Sequence, residues 1–333
     1  MKLNNELLKK TKELENNVFY GNKLYSYDKE NTIVIETELN TDFGDEKIGI
    51  DLNTLKLLRS LKSDAEIEYK KDSKTLIINL GKSKKYKAKT LNTNLPSLKS
   101  VIEKEITVDA NSLKIAKKFT STLISKPTLM GVALQKNGNI YATNGYKCYR
   151  HLIEKTEDTD SNDSIIIPSN FIDYIDLTKE KIEIGYSQNN ITIVQENRKF
   201  ISRLIGGVFP VKGIDQLCDI VKQYNLVKFN YDEMKENISV GLNVGYDEAN
   251  SSKVIFKNDK MLVNGFNEFE CDINVDYENE YIFAIDLLSA KDMFEYSKNE
   301  ETNTCDIVYQ DSLSVLLSYK GNDTFVYAPI RVN

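Results

Sequence analysis

The chain has 333 residues, with 44 Lys and Arg against 50 Asp and Glu; a net charge of −6 argues against a surface that clings to nucleic acid over its whole area. Four cysteines (Cys148, Cys218, Cys271, Cys305) without a CxxC pair, and a single histidine (His151), indicate neither a disulfide framework nor a zinc site. The opening Met1-Lys2-Leu3-Asn4-Asn5-Glu6 carries no signal-peptide run and no stretch approaches a membrane span, so the expectation is a soluble protein of a reducing cytoplasm with no membrane partner.

In chain order, Lys2 to Asn16 is expected to be helical, with Leu3, Leu7 and Leu14 on one face and Lys9 and Lys12 on roughly the opposite one. Thr32 to Thr37 alternates as an antiparallel strand, and Ile50 leads into an amphipathic helix through Leu55 and Leu61 that carries Lys56, Arg59 and Lys62. Strands at Ile67-Glu68-Tyr69, Thr75 to Leu80 and from near Tyr86 follow. A second helix is expected over Asp109 to Ile124, with Asp109 as N-cap, Leu113, Ala116, Phe119 and Leu123 as the apolar stripe, and Lys114, Lys117 and Lys118 off it. Ile166, Phe171 and Leu177 repeat the strand-to-helix pattern, and strands follow at Ile184-Gly185-Tyr186, Asn190 to Gln195 and from near Phe200. Tyr231 to Leu242 reads as a helix burying Met234, Ile238 and Leu242, with Asp232, Glu233 and Glu236 on its polar face. Lys253 to Phe256 alternates as a strand; Ile282, Leu287 and Met293 give the pattern a third time, before strands at Ile307-Val308-Tyr309, Leu313 to Ser318 and from near Phe325.

The three strand-to-helix units are each 116 residues apart, which makes the chain three copies of one α+β domain, 1–104, 105–222 and 223–333, each long enough to bury its own core. Quasi-equivalent units side by side suit something long or curved better than one catalytic centre. Charge is uneven across them: residues 1–104 carry 20 Lys/Arg against 16 Asp/Glu, residues 105–222 carry 15 against 14, and residues 223–333 carry 9 against 20. A basic end and an acidic end suggest a head-to-tail contact between copies of the chain, the kind of heterologous interface that closes into rings.

An enzyme is the competing class. The chain has no GxxxxGK[ST] loop, no HExxH and no GxSxG, so most catalytic constellations lack parts, although a carboxylate-only site stays open. Gly206-Gly207 before Val208-Phe209-Pro210 reads as a tight bend, and Asp306, Asp311 and Asp323 as turn carboxylates. No catalytic residue, metal or cofactor is expected.

Ordered segments carry a resemblance. The middle third reads Pro127-Thr128-Leu129-Met130-Gly131-Val132-Ala133-Leu134, Tyr141-Ala142-Thr143-Asn144-Gly145-Tyr146-Lys147, Ile165-Ile166-Ile167-Pro168 and Ser202-Arg203-Leu204-Ile205-Gly206-Gly207-Val208-Phe209-Pro210. With Val34-Ile35-Glu36-Thr37, Leu55-Lys56-Leu57-Leu58-Arg59 and Asn94-Leu95-Pro96 before it and Val326-Tyr327-Ala328-Pro329-Ile330-Arg331-Val332 after it, the whole chain resembles the bacterial DNA sliding clamp family, the beta subunit of DNA polymerase III. The resemblance implies three clamp-type domains per subunit, a head-to-tail homodimeric ring with helices lining the hole and antiparallel sheets outside, and sequence-independent encirclement of duplex DNA. It also implies a clamp loader, and a replicative DNA polymerase and other clients as partners. The alternative is a clamp-like scaffold that recruits partners without encircling DNA.

By the same resemblance, client peptides rich in Gln, Leu and Phe enter an apolar pocket matched here to Leu129, Thr143, Gly145, Tyr146, Lys147, Cys148, Val326, Ala328 and Ile330. The family commonly has Asp-Gly-His-Arg-Leu where this chain has Asn144-Gly145-Tyr146-Lys147-Cys148, and Met where it has Ala328, which predicts a differently shaped pocket. Lys9, Lys12, Lys56, Arg59, Lys114, Lys117 and Lys118 are the expected DNA-facing side chains, since the third copy is acidic. The resemblance also implies a dimer contact that pairs the strand around Tyr86 and Ala88 with the end of the helix near Leu242 and Val244 of a second copy.

Overall fold

The computed structural model describes residues 1–4, 6–9, 13–62, 64–80, 84–153, 164–219, 225–245, 252–265, 267–310 and 315–331. Lys12 and Val332 therefore lie outside the described residues, as do Asp311 and the Leu313 start of the expected strand. Seven α-helices are found among them: α1 (Glu6–Lys9), α2 (Leu52–Ser60), α3 (Ala110–Lys117), α4 (Ser169–Ile172), α5 (Val211–Asp219), α6 (Tyr231–Gly245) and α7 (Leu287–Tyr296). The chain divides into two compact units, Met1–Ala110 with Ile167–Ile205, and Asn111–Ile166 with Gly206–Asn333.

The strand-to-helix repeat is realised three times, with different strength. Ile48–Ile50 runs into α2, where the Asp51 side chain accepts the Thr54 amide at 2.6 Å, and Ile282–Asp286 runs into α7, where Asp286 accepts the Ser289 amide at 2.9 Å. These caps satisfy amides that a helix start otherwise leaves open. In the middle copy Pro168 occupies the cap position, has no capping side chain, and α4 is only four residues long.

The first unit holds an eight-stranded antiparallel sheet, in the order Ile48–Ile50, Asn16–Tyr20, Lys23–Tyr27, Ile33–Glu38, Arg198–Arg203, Asn190–Gln195, Lys181–Tyr186, Lys104–Asp109. Copies one and two meet inside it, where Ile35 pairs with Phe200. A four-stranded sheet (Lys2–Leu3, Ala65–Lys70, Thr75–Asn79, Lys85–Lys89) completes the unit. In the second unit the main path runs Ile165–Pro168, Gly131–Leu134, Ile140–Thr143, Lys147–His151, Asp323–Tyr327, Val315–Lys320, Thr304–Gln310, Asn225–Asn230, Val275–Tyr277. Copies two and three meet there, where Tyr149 pairs with Phe325. Its second sheet runs Glu268–Asp272, Lys260–Asn264, Lys253–Lys257, Ile282–Asp286.

Two expected helices are shorter than their periodicity suggests. Lys2 and Leu3 pair as a strand with Glu66 and Ala65, and the Met1 amino group donates to the Ile67 carbonyl at 2.8 Å, so tertiary pairing takes the first turn away from the helix. Leu8, not Leu7, is the buried residue of α1, and Asn16 already belongs to the next strand. Helix α3 ends at Lys117 because the following amides turn to i−3 carbonyls (Lys118 to Ile115, Phe119 to Ala116), which leaves Leu123 half-exposed in a loop. In α6 the buried positions are Met234, Ile238, Gly241 and Gly245, while Leu242 is half-buried. A Cβ on Gly241 would stand 2.9 Å from Val263 Cγ2, and one on Gly265 would overlap the Gly245 carbonyl, so this helix lies on its sheet through missing side chains.

The third copy is closed by aromatic rings. Phe229 meets Phe256, Phe283, Phe294 and Tyr281 at centroid distances of 5.3–6.4 Å, mostly edge-on, the arrangement ring quadrupoles favour.

Candidate functional site

The residues matched to a peptide pocket all belong to the second unit, and strand pairing brings most of them together. Cys148 lies opposite Val326 and Lys147 opposite Tyr327, and beyond the ladder the Ala328 amide donates to the Tyr146 carbonyl at 2.7 Å. The Thr143–Lys147 turn is fixed from within: Asn144 Oδ1 accepts the Tyr146 and Lys147 amides at 2.8 and 2.9 Å, the Thr143 hydroxyl donates to the Lys147 carbonyl, and Gly145 sits at φ +94°. Tyr146 is thereby held out in solvent. Leu129 is half-buried on a short 3₁₀ turn (Pro127–Met130), its carbonyl accepting the Ser121 amide at 2.7 Å. Ile330 is half-buried, bonded through its amide to the Ala284 carbonyl, and Ala328 is exposed.

Not every matched side chain is open to a ligand. Cys148 and Val326 are buried in the sheet. Lys147 turns inward: its ammonium binds Asp292 of α7 and stands 4.9 Å from the centre of the Phe119 ring. Phe119 gathers Tyr149, Tyr296, Phe325 and Tyr327 around it, so Lys147 caps an aromatic cluster. Burial pushes the Tyr296 phenol up to about 12 and that of Tyr327 well above its ordinary value.

Sequence reasoning missed two partly buried polar groupings next to this region. Arg150 donates to Asp215 and Asp219 of α5, both at 3.0 Å, and burial raises the Asp215 carboxyl against the opposing pull of the guanidinium. His151 Nδ1 stands 2.7 Å from Asp323 Oδ1 and 3.0 Å from Ser112 Oγ, and the Tyr149 hydroxyl donates to the same Asp323 oxygen at 2.6 Å. A carboxylate only accepts, so the imidazole proton belongs on Nδ1. Ser, His and Asp thus assemble, but Ser112 and Asp323 meet the same ring nitrogen, whereas a catalytic triad needs the nucleophile on the other one. A lone histidine gives no sequence signal of such a cluster, because its partners are 39 and 172 positions away.

The basic side chains fall into two groups. In the first unit Lys9, Lys56 and Arg59 surround a shallow hollow with Glu13 and Ser60; Glu13 bonds both Lys56 (3.3 Å) and Arg59 (3.0 Å), and Lys9 pairs with Glu6. In the second unit Lys114 and Lys118 line a groove of about 420 Å³ with Lys320, Glu295 and Asp323, and Lys117 is half-buried on the same helix. Leu242 lines another groove, about 410 Å³, between α6 and α7, with Val244 exposed at the end of α6, where its carbonyl accepts from Asn267 at 3.1 Å.

Among the described residues, each four-stranded sheet ends on a strand with one unpaired edge. Lys85–Lys89 (Lys-Tyr-Lys-Ala-Lys) ends the first, with Ala88 and Tyr86 turned toward the core and the three lysines exposed. Glu268–Asp272 (Glu-Phe-Glu-Cys-Asp) ends the other, with its three acids exposed. In the sheet orders Lys85–Lys89 holds the place of the Arg198–Arg203 and Asp323–Tyr327 strands, and Glu268–Asp272 the place of Ile33–Glu38 and Lys147–His151. Those four strands make the two joints between copies.

Among the described residues no helix is long and apolar enough to cross a membrane, and no group of three or more His, Cys, Asp or Glu is placed to hold a metal ion. No protein-family model and no curated protein matches the chain. Solved structures do. A chain of Eubacterium rectale assigned as a DNA polymerase III beta subunit superposes over 100% of both chains with a TM-score of 0.79 at 18% identity. The C. crescentus beta sliding clamp gives 0.79 at 16% identity, covering 100% of this chain and 99% of that one. The DNA polymerase III subunit beta of Pseudomonas aeruginosa gives 0.77 at 17% identity, covering 98% and 96%. The chain has the fold of bacterial sliding clamps over its full length.

Proposed function

We propose that this chain is a DNA sliding clamp, a ring of two copies joined head to tail that encircles duplex DNA and tethers a replicative polymerase and other clients. The observation that carries the reading is the missing third joint. Two equivalent strand pairs already join copies one to two and two to three; the third pair, Lys85–Lys89 and Glu268–Asp272, has its members in the first and third copies, each unpaired on one edge among the described residues. Pairing them between two chains repeats the same joint and closes a ring without a free sheet edge there.

One antiparallel register satisfies both faces. Setting Lys87 opposite Glu270 puts Lys85 opposite Asp272 and Lys89 opposite Glu268 outside, and Tyr86 opposite Cys271 and Ala88 opposite Phe269 inside. A shift by one residue would set lysines against apolar residues, and a shift by two would leave a lysine and an acid without opposite partners, so this register is the one that pairs all three lysines with acids. Val244, beside Asn267 at the start of this acidic edge, supports an interface that extends to the end of α6.

The DNA contact rests on lysines of α1, α2 and α3. Lys9, Lys56 and Arg59 have acidic partners on the exposed surface, and such pairs are worth little and exchange readily for phosphate. Affinity is then weak and salt-dependent, and retention on DNA comes from topology. The reading assigns no catalytic step. The peptide pocket is the surface of the second unit around Leu129, Tyr146, Ala328 and Ile330.

The test has two parts. The purified chain should sediment at twice its own mass at micromolar concentration, and after loading on nicked circular DNA it should leave when the circle is cut. Retention on the linear product overturns encirclement and favours a scaffold that does not enclose DNA; a strict monomer removes the ring.

A further inference from the structure

We infer, resting on the pocket reading above, that the client site extends beyond the pocket onto a strip formed by Leu123, Ile124, Tyr146 and Val208. This strip takes apolar side chains that flank the pocket-bound residues of the client segment. The three most exposed large apolar side chains among the described residues are Ile124 (86%), Tyr146 (71%) and Val208 (66%), and Leu123 is 50% exposed. Single exposed apolar residues are ordinary on a protein surface; a cluster of them marks a contact.

These residues come from three loops that converge on one short segment. The chain from Ser121 to Leu129 folds back on itself, the Ser121 amide donating to the Leu129 carbonyl and the Leu129 amide to the Lys126 carbonyl at 3.0 Å. A Cβ on Gly145, next to Tyr146, would lie 3.4 Å from Lys126 Nζ, and one on Gly207, next to Val208, would lie 2.6 Å from Thr128 Cγ2. The turns carrying Tyr146 and Val208 therefore touch the segment that carries Leu123, Ile124 and Leu129. The backbone of all three is fixed by hydrogen bonds or by glycines at positive φ (Gly145 +94°, Gly207 +123°), so the apolar side chains stay presented to solvent.

The occupant follows from the chemistry. Tyr146 belongs to both the pocket and the strip, and Leu129 lies on the same folded-back segment as Leu123 and Ile124, so on this inference the part of the client segment that runs past the pocket lies on Ile124 and Val208. Lys126 is exposed and has no ion-pair partner among the described residues, which favours a carboxylate on that segment. The fitting partner is an extended peptide with aliphatic residues and an acid adjoining the Gln-Leu-Phe portion.

Two labelled probe peptides test this by fluorescence anisotropy: a five-residue peptide of Gln, Leu and Phe, and the same peptide extended by Glu-Ile-Val at one end or the other. The chain should bind one extended peptide about tenfold more tightly than the short one, the effect of shielding two aliphatic side chains. Ile124→Ser combined with Val208→Ser, both at exposed positions and checked by thermal melt, should abolish that gain and leave short-peptide affinity unchanged. Equal affinities for short and extended peptides in the unaltered chain, or a gain that survives the double substitution, overturn the strip. Failure of the short peptide to bind, with the extended one binding and sensitive to the double substitution, keeps the strip and removes the pocket. Binding of neither removes both.

Discussion

Asp323 accepts the Nδ1–H of His151 at 2.7 Å across the two strands that join the second and third copies, where the two residues are direct register partners. Tyr149 donates to the same carboxylate, so one acid holds two donors at this joint. Asp323→Ala should destabilise the chain by about 2 kcal/mol, since Tyr149 and His151 both lose their bond to this carboxylate in a largely buried place. Asp323→Asn, which keeps a carbonyl acceptor, should cost less. Urea unfolding of the two variants ranks them; equal losses would mean that the side chain's volume, not its acceptor, matters.

A pH dependence follows from Asp215. Burial raises its folded-state pKa above the unfolded value even beside Arg150. The folded chain therefore takes up this proton before the unfolded chain does. The contribution of this group is complete below the ordinary carboxylate range and is lost as pH rises through the raised value. The stability of the parent chain relative to Asp215→Asn should increase as pH falls from neutral toward the carboxylate range. Chemical denaturation of both at several pH values checks the sign, and a relative stability that falls on acidification would mean that the Arg150 pairing outweighs burial.

Tyr327 is 1% exposed and its hydroxyl has no hydrogen-bond partner among the described residues. An unsatisfied buried hydroxyl costs free energy that Phe does not incur. Tyr327→Phe should raise stability by about 1 kcal/mol, measured as a higher denaturation midpoint; a loss of that size would reveal a partner for the hydroxyl.

Local pattern carries much of the fold. Ile50, Ile166 and Ile282 mark strands that turn into helices, because apolar runs followed by periodic Leu and Phe residues leave few alternatives. The same pattern misreads the first helix, because Lys2 and Leu3 have strand partners 64 and 62 residues away, which no local window contains. The segments matched to a peptide pocket are read as ordered motifs, yet the inward turn of Lys147 depends on Asp292 and Phe119, distant in sequence. The charge imbalance points to opposite ends of the chain; its concentration on Lys85–Lys89 and Glu268–Asp272 needs the sheet order.

The lysines of α3 and the turn after it allow a quantitative test of DNA contact. Each phosphate neutralised by a lysine contributes about 0.9 to the slope of log affinity against log salt. Replacing Lys114, Lys117 and Lys118 by Ala should lower that slope by about 2–3 and weaken binding to all sequences alike. Filter binding of short duplexes over a salt series measures it, and an unchanged slope would take α3 away from the DNA.

Charge reversal at the sheet edges isolates the ring joint from every other property of the chain. In the proposed register the lysines at 85, 87 and 89 of one chain face the acids at 272, 270 and 268 of the other, and directly opposed like charges on neighbouring strands repel. Lys85→Glu with Lys87→Glu should weaken dimerisation at least tenfold, because two attractive pairs become repulsive and about 1.4 kcal/mol is already a factor of ten. Both lysines are exposed on the edge strand, so the folded subunit should survive with an unchanged melting profile for the monomer. The decisive measurement is a mixture with a second variant carrying Glu270→Lys and Asp272→Lys. Each variant alone sets like charges against each other at both joints of its ring and should sediment as a monomer. In the mixed pair one joint brings together the two altered strands, with their signs exchanged, and the other brings together two unaltered strands. Both joints are then attractive, and sedimentation of the mixture should show a heterodimer of twice the chain mass. Two variants that stay monomeric when mixed, or that dimerise separately as well as the parent chain does, would take these two strands out of the ring joint.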